Sequence, residues 1–105
     1  MDKEAVLRVI SDFAKALGAA KVKPQKIILF GSHSTGTQRP DRDIDLVVIS
    51  EDFVGKDYWE RIDVLSAAIA TVFQPIEAIA MTPEEWKSGD SLIADYARSG
   101  EVVYG

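Results

Sequence analysis

The stretch KIILFGSHSTGTQRPDRDIDLVVI, residues 26–49, decides the fold of this chain. It places Gly31-Ser32 directly after one apolar segment, Lys26–Phe30, and Asp43-Ile44-Asp45 at the head of another, Leu46–Ile49. Side chains alternate along a strand, so Asp43 and Asp45 are expected on one face. Two carboxylates held so close resist ionising together unless a cation lies between them. We therefore expect a strand–turn–strand unit that binds a divalent cation beside a backbone turn able to hold phosphates.

Periodicity in the rest of the chain predicts further helices and strands. Apolar residues recur at helical spacing in two long segments, and Thr82-Pro83-Glu84-Glu85 is typical of a capping box with Pro at the first helical position. We expect an α/β (α+β) fold: one domain, residues 1–105, whose small mixed or antiparallel sheet of three to four strands has helices packed against one side. The predicted elements are a helix over Lys3–Leu17, strands over Lys26–Phe30 and Ile44–Ile49, a helix over Tyr58–Phe73, a strand over Ile76–Met81, a short helix through Trp86, a helix over Leu92–Arg98, and Glu101–Tyr104 as an edge strand or a partner contact.

The two tryptophans, Trp59 and Trp86, both fall on apolar helical stripes. A tryptophan at such a position packs in the core more often than it stacks on a base. We therefore expect both indole rings to be buried against the sheet.

Composition limits the classes of function. The chain has 105 residues, 47% of them hydrophobic and 28% charged, with no cysteine and a net charge of −5. Without cysteine there is no disulfide and no thiolate metal site. No apolar run is long enough to span a membrane, and the negative charge disfavours extended binding to nucleic acid. We expect a cytoplasmic protein without extended nucleic-acid binding, and this does not exclude a single nucleotide as substrate.

A third carboxylate, Glu77, lies within the predicted strand Ile76–Met81 among apolar neighbours. It is either an exposed charge on an open sheet face or a further ligand beside Asp43 and Asp45. Magnesium suits such a set, because it prefers oxygen ligands and binds through a few carboxylates together with substrate phosphates.

The motif of Gly31-Ser32, ten intervening residues and Asp43-x-Asp45 resembles that of the nucleotidyltransferase superfamily that includes DNA polymerase β. Within it, the chain looks like the minimal nucleotidyltransferases encoded beside a HEPN-domain partner. The resemblance implies that Asp43, Asp45 and Glu77 hold two Mg²⁺ ions. It also implies that Gly31 and Ser32 contact the triphosphate of ATP or another nucleoside triphosphate.

The chain departs from this family at the residues after Gly31-Ser32. Many minimal relatives read Gly-Ser-Arg-x-Arg-Gly, whereas His33 and Thr35 stand in place of the two arginines here. Arg39 and Arg42 either supply the missing phosphate contacts or are solvated loop charges. For Ser32, phosphate binding and capping of a helical turn use the same geometry, so the two roles are compatible.

Three functions are compatible with the sequence. The resemblance implies transfer of AMP from ATP to a hydroxyl, above all to a tyrosine of a HEPN toxin, with this chain as the antitoxin in a homo- or hetero-oligomer. A second possibility is transfer to a small-molecule hydroxyl, such as that of an aminoglycoside. The third is a non-catalytic nucleotide-binding module that neutralises a toxin by contact.

Overall fold

The computed structural model describes residues 2–31, 43–89 and 92–105, with the backbone alone at Leu92, Ile93 and Tyr96. None of the helices in this described part is long and apolar enough to cross a membrane. In chain order the elements are α1 (Lys3–Ala19), β1 (Lys26–Phe30), β2 (Ile44–Ile49), a 3₁₀ turn (Glu51–Phe53), α2 (Tyr58–Val72), β3 (Ile76–Met81), α3 (Pro83–Ser88), α4 (Leu92–Ala97) and β4 (Glu101–Tyr104).

The four strands form one mixed sheet in the order β3-β2-β1-β4. The pairs β1–β2 and β1–β4 are antiparallel, and β2–β3 is parallel. Two parallel neighbours need a crossover connection, which α2 provides. The predicted bounds of β1, β2 and β3 are confirmed, and the predicted tail segment is an edge strand.

One face of the sheet is covered by α1 and α2. Their apolar stripes bury the side chains of alternate strand residues, and each large side chain removed from water here contributes about 1.5–3 kcal/mol. Asp2 begins α1, where its side chain accepts a hydrogen bond of 2.8 Å from the Ala5 amide. The core on this face includes Val6, Ile10, Phe13, Leu17, Leu65 and Ala68 from the helices and Ile27, Leu29, Ile44, Leu46 and Val48 from the strands.

The opposite face is covered as well, by α3 and α4. Here Ala94 and Ala97 are buried, Trp86 is half-buried, and the strands contribute Ile28, Phe30, Val47, Ile49 and Met81. The expectation of helices on one side only is therefore wrong. Both helices are six residues long, too short for a clear apolar period. The unbroken apolar runs of β1 and β2 indicate cover on both faces of the sheet, because strands buried on both faces do not alternate between apolar and polar residues.

The two tryptophans differ in burial. Trp86 packs against the second core as expected. Trp59 is 70% exposed, so the expectation that it packs in the core is wrong. It lies in the first turn of α2, and its ring meets the Tyr58 ring edge-on at 5.0 Å.

Candidate active site

Asp45 and Glu77 lie side by side on neighbouring strands. They are partners in the parallel ladder of β2 and β3, and strands in a ladder are about 4.8 Å apart. Asp45 is half-buried and Glu77 is exposed. The fold thus brings together two carboxylates that the whole of α2 separates along the chain.

The alternation of β2 identifies the face that carries this pair. Ile44 and Leu46 are buried under α1 and α2, whereas Val47 is buried under α3 and α4. Asp45 therefore points to the face of Val47, at the edge of the sheet where β2 begins. Asp43 is exposed and directly precedes β2, two residues before Asp45.

Gly31 lies on the other side of Asp45. We refer to the edge of the sheet that carries Gly31, Asp45 and Glu77 as the corner. It follows β1 directly, and Phe30 is the ladder partner of Asp45. Gly31 has a φ of +74°, and a Cβ built on it would collide with Asp45 Oδ2 and lie 3.3 Å from Asp45 Cγ. Only glycine satisfies both conditions, since it tolerates positive φ and has no Cβ. The Asp45 carboxylate is therefore packed against bare backbone.

The donors at this corner suit magnesium by their chemistry. Within residues 2–31, 43–89 and 92–105, no three acidic or histidine side chains are close enough to form a ready-made metal cluster. Magnesium does not require one, because it binds through one or two carboxylates and completes its shell with phosphates and water. Asp45 and Glu77 on adjacent strands are two such carboxylates, and Asp43 precedes Asp45 by two residues in the chain.

Several predicted site residues lie outside the described residues. These are Ser32, Arg39 and Arg42, together with His33 and Thr35 from the departing motif. Their roles at the triphosphate stay predictions.

The far end of the sheet carries an ion pair that sequence reasoning missed. Arg61 of α2 donates to Glu85 Oε1 of α3 at 2.7 Å and to the carbonyl oxygens of Lys56 and Phe53, each at 3.1 Å. Glu85 Oε1 also accepts from the Thr82 amide at 2.8 Å in the predicted capping box. Burial raises the pKa of Glu85, but the Arg61 and Thr82 hydrogen bonds outweigh it and hold that pKa below its usual 4.5.

Phe73 ends α2 differently from what the sequence predicted. It was expected to be the last residue of a helix, but it caps α2 in the left-handed conformation, with φ 60° and ψ 43°. Its side chain is 89% exposed. The available signal was Pro75, because the residue before a proline avoids the helical region and the helix must end near 73.

A mixed sheet of four strands with these helices is the nucleotidyltransferase fold. The chain belongs to the nucleotidyltransferase domain family, whose sequence model matches residues 8–93. It is therefore assigned to a class of enzymes that transfer nucleotidyl groups. No curated protein sequence matches the chain significantly.

Solved structures agree on the fold. A protein from Sulfolobus solfataricus assigned as a nucleotidyltransferase superposes with a TM-score of 0.70 at 14% identity, over 95% of this chain and 80% of that one. A toxin–antitoxin complex with AMP-PNP gives 0.65 at 24% identity, over 90% and 72%. The toxin–antitoxin pair MntA–HpeT, in a variant with two aspartates two positions apart changed to glutamate, gives 0.59 at 19% identity, over 100% and 74%.

Proposed function

We propose that this nucleotidyltransferase is metal-dependent and transfers AMP from ATP to a hydroxyl of a partner protein. The observation that carries the proposal is the pairing of Asp45 with Glu77 beside Gly31. In a chain of this family, such a corner offers carboxylates for a cation beside a glycine turn.

The proposed reaction is one in-line displacement at the α-phosphorus of ATP. The acceptor oxygen forms a bond to that phosphorus, and the bond from phosphorus to the oxygen bridging the α- and β-phosphates breaks. Pyrophosphate leaves with the bonding electron pair, and the hydroxyl proton passes to solvent. The product is a phosphodiester that joins AMP to the acceptor.

Asp43, Asp45 and Glu77 are the residues that would hold two magnesium ions. When bound, such a pair of ions stabilises charge on the attacking and leaving oxygens of an in-line displacement. The spacing of Asp43 and Asp45 supports this assignment, since the two aspartates altered in the MntA–HpeT variant are also two positions apart. Ser32, Arg39 and Arg42 are proposed to contact the phosphates.

The proposed acceptor is a tyrosine hydroxyl on a HEPN partner, with this chain in the antitoxin role. Two of the structural neighbours are toxin–antitoxin pairs, and one of them was solved with an adenine nucleotide analogue. Both observations concern those proteins, and they favour ATP as donor and a protein as acceptor for this chain.

Label transfer tests the proposal. The protein is incubated with magnesium and a lysate of its host, in parallel with ATP labelled at the α-phosphate and ATP labelled at the γ-phosphate. Nucleotidyl transfer predicts that one protein band takes up the α-label and none takes up the γ-label. The Asp43→Asn/Asp45→Asn variant should transfer nothing. Asp63→Asn, which removes an exposed carboxylate from α2, serves as the matched control and should transfer normally.

Other outcomes of the label-transfer experiment would favour the two alternative functions. Label in a small molecule would keep the enzyme and replace the protein acceptor by a small-molecule hydroxyl, as in aminoglycoside modification. Absence of any label, despite ATP binding, would reject catalysis and favour a module that neutralises a toxin by contact.

A further inference from the structure

β3 has an open edge. It pairs with β2 on one side and is the last strand of the sheet on the other, so within residues 2–31, 43–89 and 92–105 no strand pairs with its outer side. The carbonyls of Pro75 and Met81, both odd-numbered, accept hydrogen bonds from β2 and from the residue directly after it. Because main-chain groups alternate sides along a strand, those of the even-numbered Ile76, Ala78 and Ala80 point away from β2.

Thr82 marks the end of this outward row. Its amide, the next in the even-numbered series, donates to Glu85 Oε1 at 2.8 Å in the capping box of α3. The amides of Ala78 and Ala80 have no such acceptor in the described part of the chain. A row of unpaired main-chain donors and acceptors is a template for another strand.

The other edge strand, β4, is protected against such pairing, whereas β3 is not. β4 has four residues, its pairing with β1 shifts register between Ile27 and Ile28, and it begins with the charged Glu101. Short length, irregularity and charge are features by which proteins prevent edge-to-edge pairing. β3 has six residues in unbroken register with β2, contains neither lysine nor proline, and has Glu77 as its single charge. The open edge of β3 therefore suits the addition of a strand.

A hollow follows this edge. Its volume is about 510 Å³, and its walls include Ala78, Ile79 and Ala80 of β3 and Tyr58 and Ile62 of α2. The three residues of β3 are half-buried, and Tyr58 is 65% exposed. Exposed tyrosines are enriched at protein interfaces. The edge thus combines free main-chain groups with an apolar hollow, which is how strand-addition sites obtain affinity and specificity.

We propose that the β3 edge pairs with the β3 edge of a second copy of this chain, antiparallel, with Ile79 opposite Ile79 of the copy. Ala78 then exchanges two hydrogen bonds with Ala80 of the copy, and Ala80 does the same with Ala78, so that both outward rows are paired. The occupant is already an extended strand, so little ordering is lost on association. The inference goes beyond the proposed function and does not depend on it.

The distribution of charge is compatible with this pairing. With Ile79 opposite itself, Glu77 lies opposite Met81 of the copy, whereas a pair centred on Glu77 would place two carboxylates opposite each other, which is unfavourable. Antiparallel pairing also sets the first half of each α2 against the second half of the other. The charged side chains of α2 all lie within residues 58–63, and residues 64–76 carry none. Like charges are therefore kept apart on both faces of the sheet.

Sedimentation equilibrium of the full chain, without nucleotide, tests the pairing. The wild type should show a monomer–dimer equilibrium, and the amides of Ala78 and Ala80 should exchange with D₂O more slowly, by NMR, as the protein concentration rises. Ala78→Pro removes two hydrogen bonds of the symmetric pair and should raise the dimer dissociation constant at least about tenfold. Proline is tolerated on an edge strand where its nitrogen faces outward, so circular dichroism should show an intact fold.

Tyr58→Lys is a second disrupting variant, which leaves the backbone of β3 unchanged. It places a charge in the hollow at an exposed position and should weaken the dimer about tenfold as well. Val102→Lys is the matched control, because it adds the same charge at a 52% exposed residue of β4 and should leave the dimer unchanged.

Three results would overturn the inference. One is an unchanged dissociation constant in folded Ala78→Pro and Tyr58→Lys, and another is an equal loss of affinity in Val102→Lys. The third is a wild type that stays monomeric at every concentration. Protection of the Ala78 and Ala80 amides by the protein that the enzyme labels would then assign the edge to that partner instead of a second copy.

Discussion

The carboxylate of Asp45 fills the space that a side chain on Gly31 would need. The collision involves Asp45 Oδ2, with Asp45 Cγ 3.3 Å from the added atom. Gly31 closes β1, and Asp45 is the ladder partner of the preceding residue, Phe30. The turn at Gly31 and the carboxylate of Asp45 are therefore packed directly against each other.

Gly31→Ala should be destabilising and inactive. The positive φ alone costs an L-residue about 1–2 kcal/mol, and the collision with Asp45 adds about 1–3 kcal/mol or displaces the carboxylate. The matched control is Gly55→Ala, where φ is +83° but nothing lies within 4 Å of an added Cβ. Urea unfolding of both variants measures the difference. Equal stabilities, with Gly31→Ala fully active, would contradict the fit between the two residues.

Glu77→Gln should reduce nucleotidyl transfer by about a hundredfold or more, as removal of a single electrostatic contact to the reacting groups does. Its stability should change by less than about 0.5 kcal/mol, because Glu77 is exposed. Glu77→Asp should keep measurable transfer, since it preserves the charge and shortens the side chain. Initial rates at saturating ATP and magnesium distinguish the two variants. Full activity in Glu77→Gln would exclude Glu77 as a ligand.

Arg61→Ala should cost about 1–3 kcal/mol of unfolding free energy. Its side chain is only 17% exposed and bonds to Glu85 and to two backbone carbonyls, so truncation removes three hydrogen bonds and the packing of a largely buried side chain. Lys3→Ala is the control, because it removes the exposed 2.5 Å ion pair with Glu101, a kind of pair worth about 0–1 kcal/mol. Chemical denaturation compares the two losses. A cost for Arg61→Ala no larger than that for Lys3→Ala would show that the ion pair does not join α2 to α3.

Glu85 should give the protein an acid-dependent component of stability. Burial acts to raise its pKa, but the bonds from Arg61 and Thr82 prevail and lower it in the folded state. A lowered folded pKa means that the stabilisation is complete above the unfolded value near 4.5 and is lost as the pH falls through the folded one. Glu85→Gln should therefore lose less stability than the wild type as the pH falls below about 4.5. Melting temperatures measured across this range test the prediction, and parallel curves would contradict it.

The sequence predicts the strands well, but it predicts poorly which faces of the sheet the helices cover. Lys26–Phe30 and Ile44–Ile49 are apolar runs bounded by proline, glycine or charge, so local chemistry sets their ends. The cover by α3 and α4 depends on short helices whose contribution comes from tertiary packing of Ala94, Ala97 and Trp86. Trp59 shows the same limit. Its spacing fits a buried stripe, but spacing does not reveal that the Trp59 side chain lies on the exposed side of α2.

For the candidate site, the sequence identifies the residues but not their geometry. Asp43 and Asp45 stand out as two carboxylates at the head of an apolar strand, and Glu77 stands out as a carboxylate among apolar neighbours. Their relation depends on the register of β2 against β3, which no local pattern specifies.

The pairing of Asp45 with Glu77 also has a consequence for how the chain reaches its native state. A slip of β3 by one residue would turn Glu77 into the core under α1 and α2 and put an alanine or isoleucine beside Asp45. A carboxylate buried in that way costs several kcal/mol. Glu77, which we propose as a metal ligand, therefore also disfavours misaligned pairing of β2 and β3. The register that buries the apolar core is the same one that pairs Glu77 with Asp45.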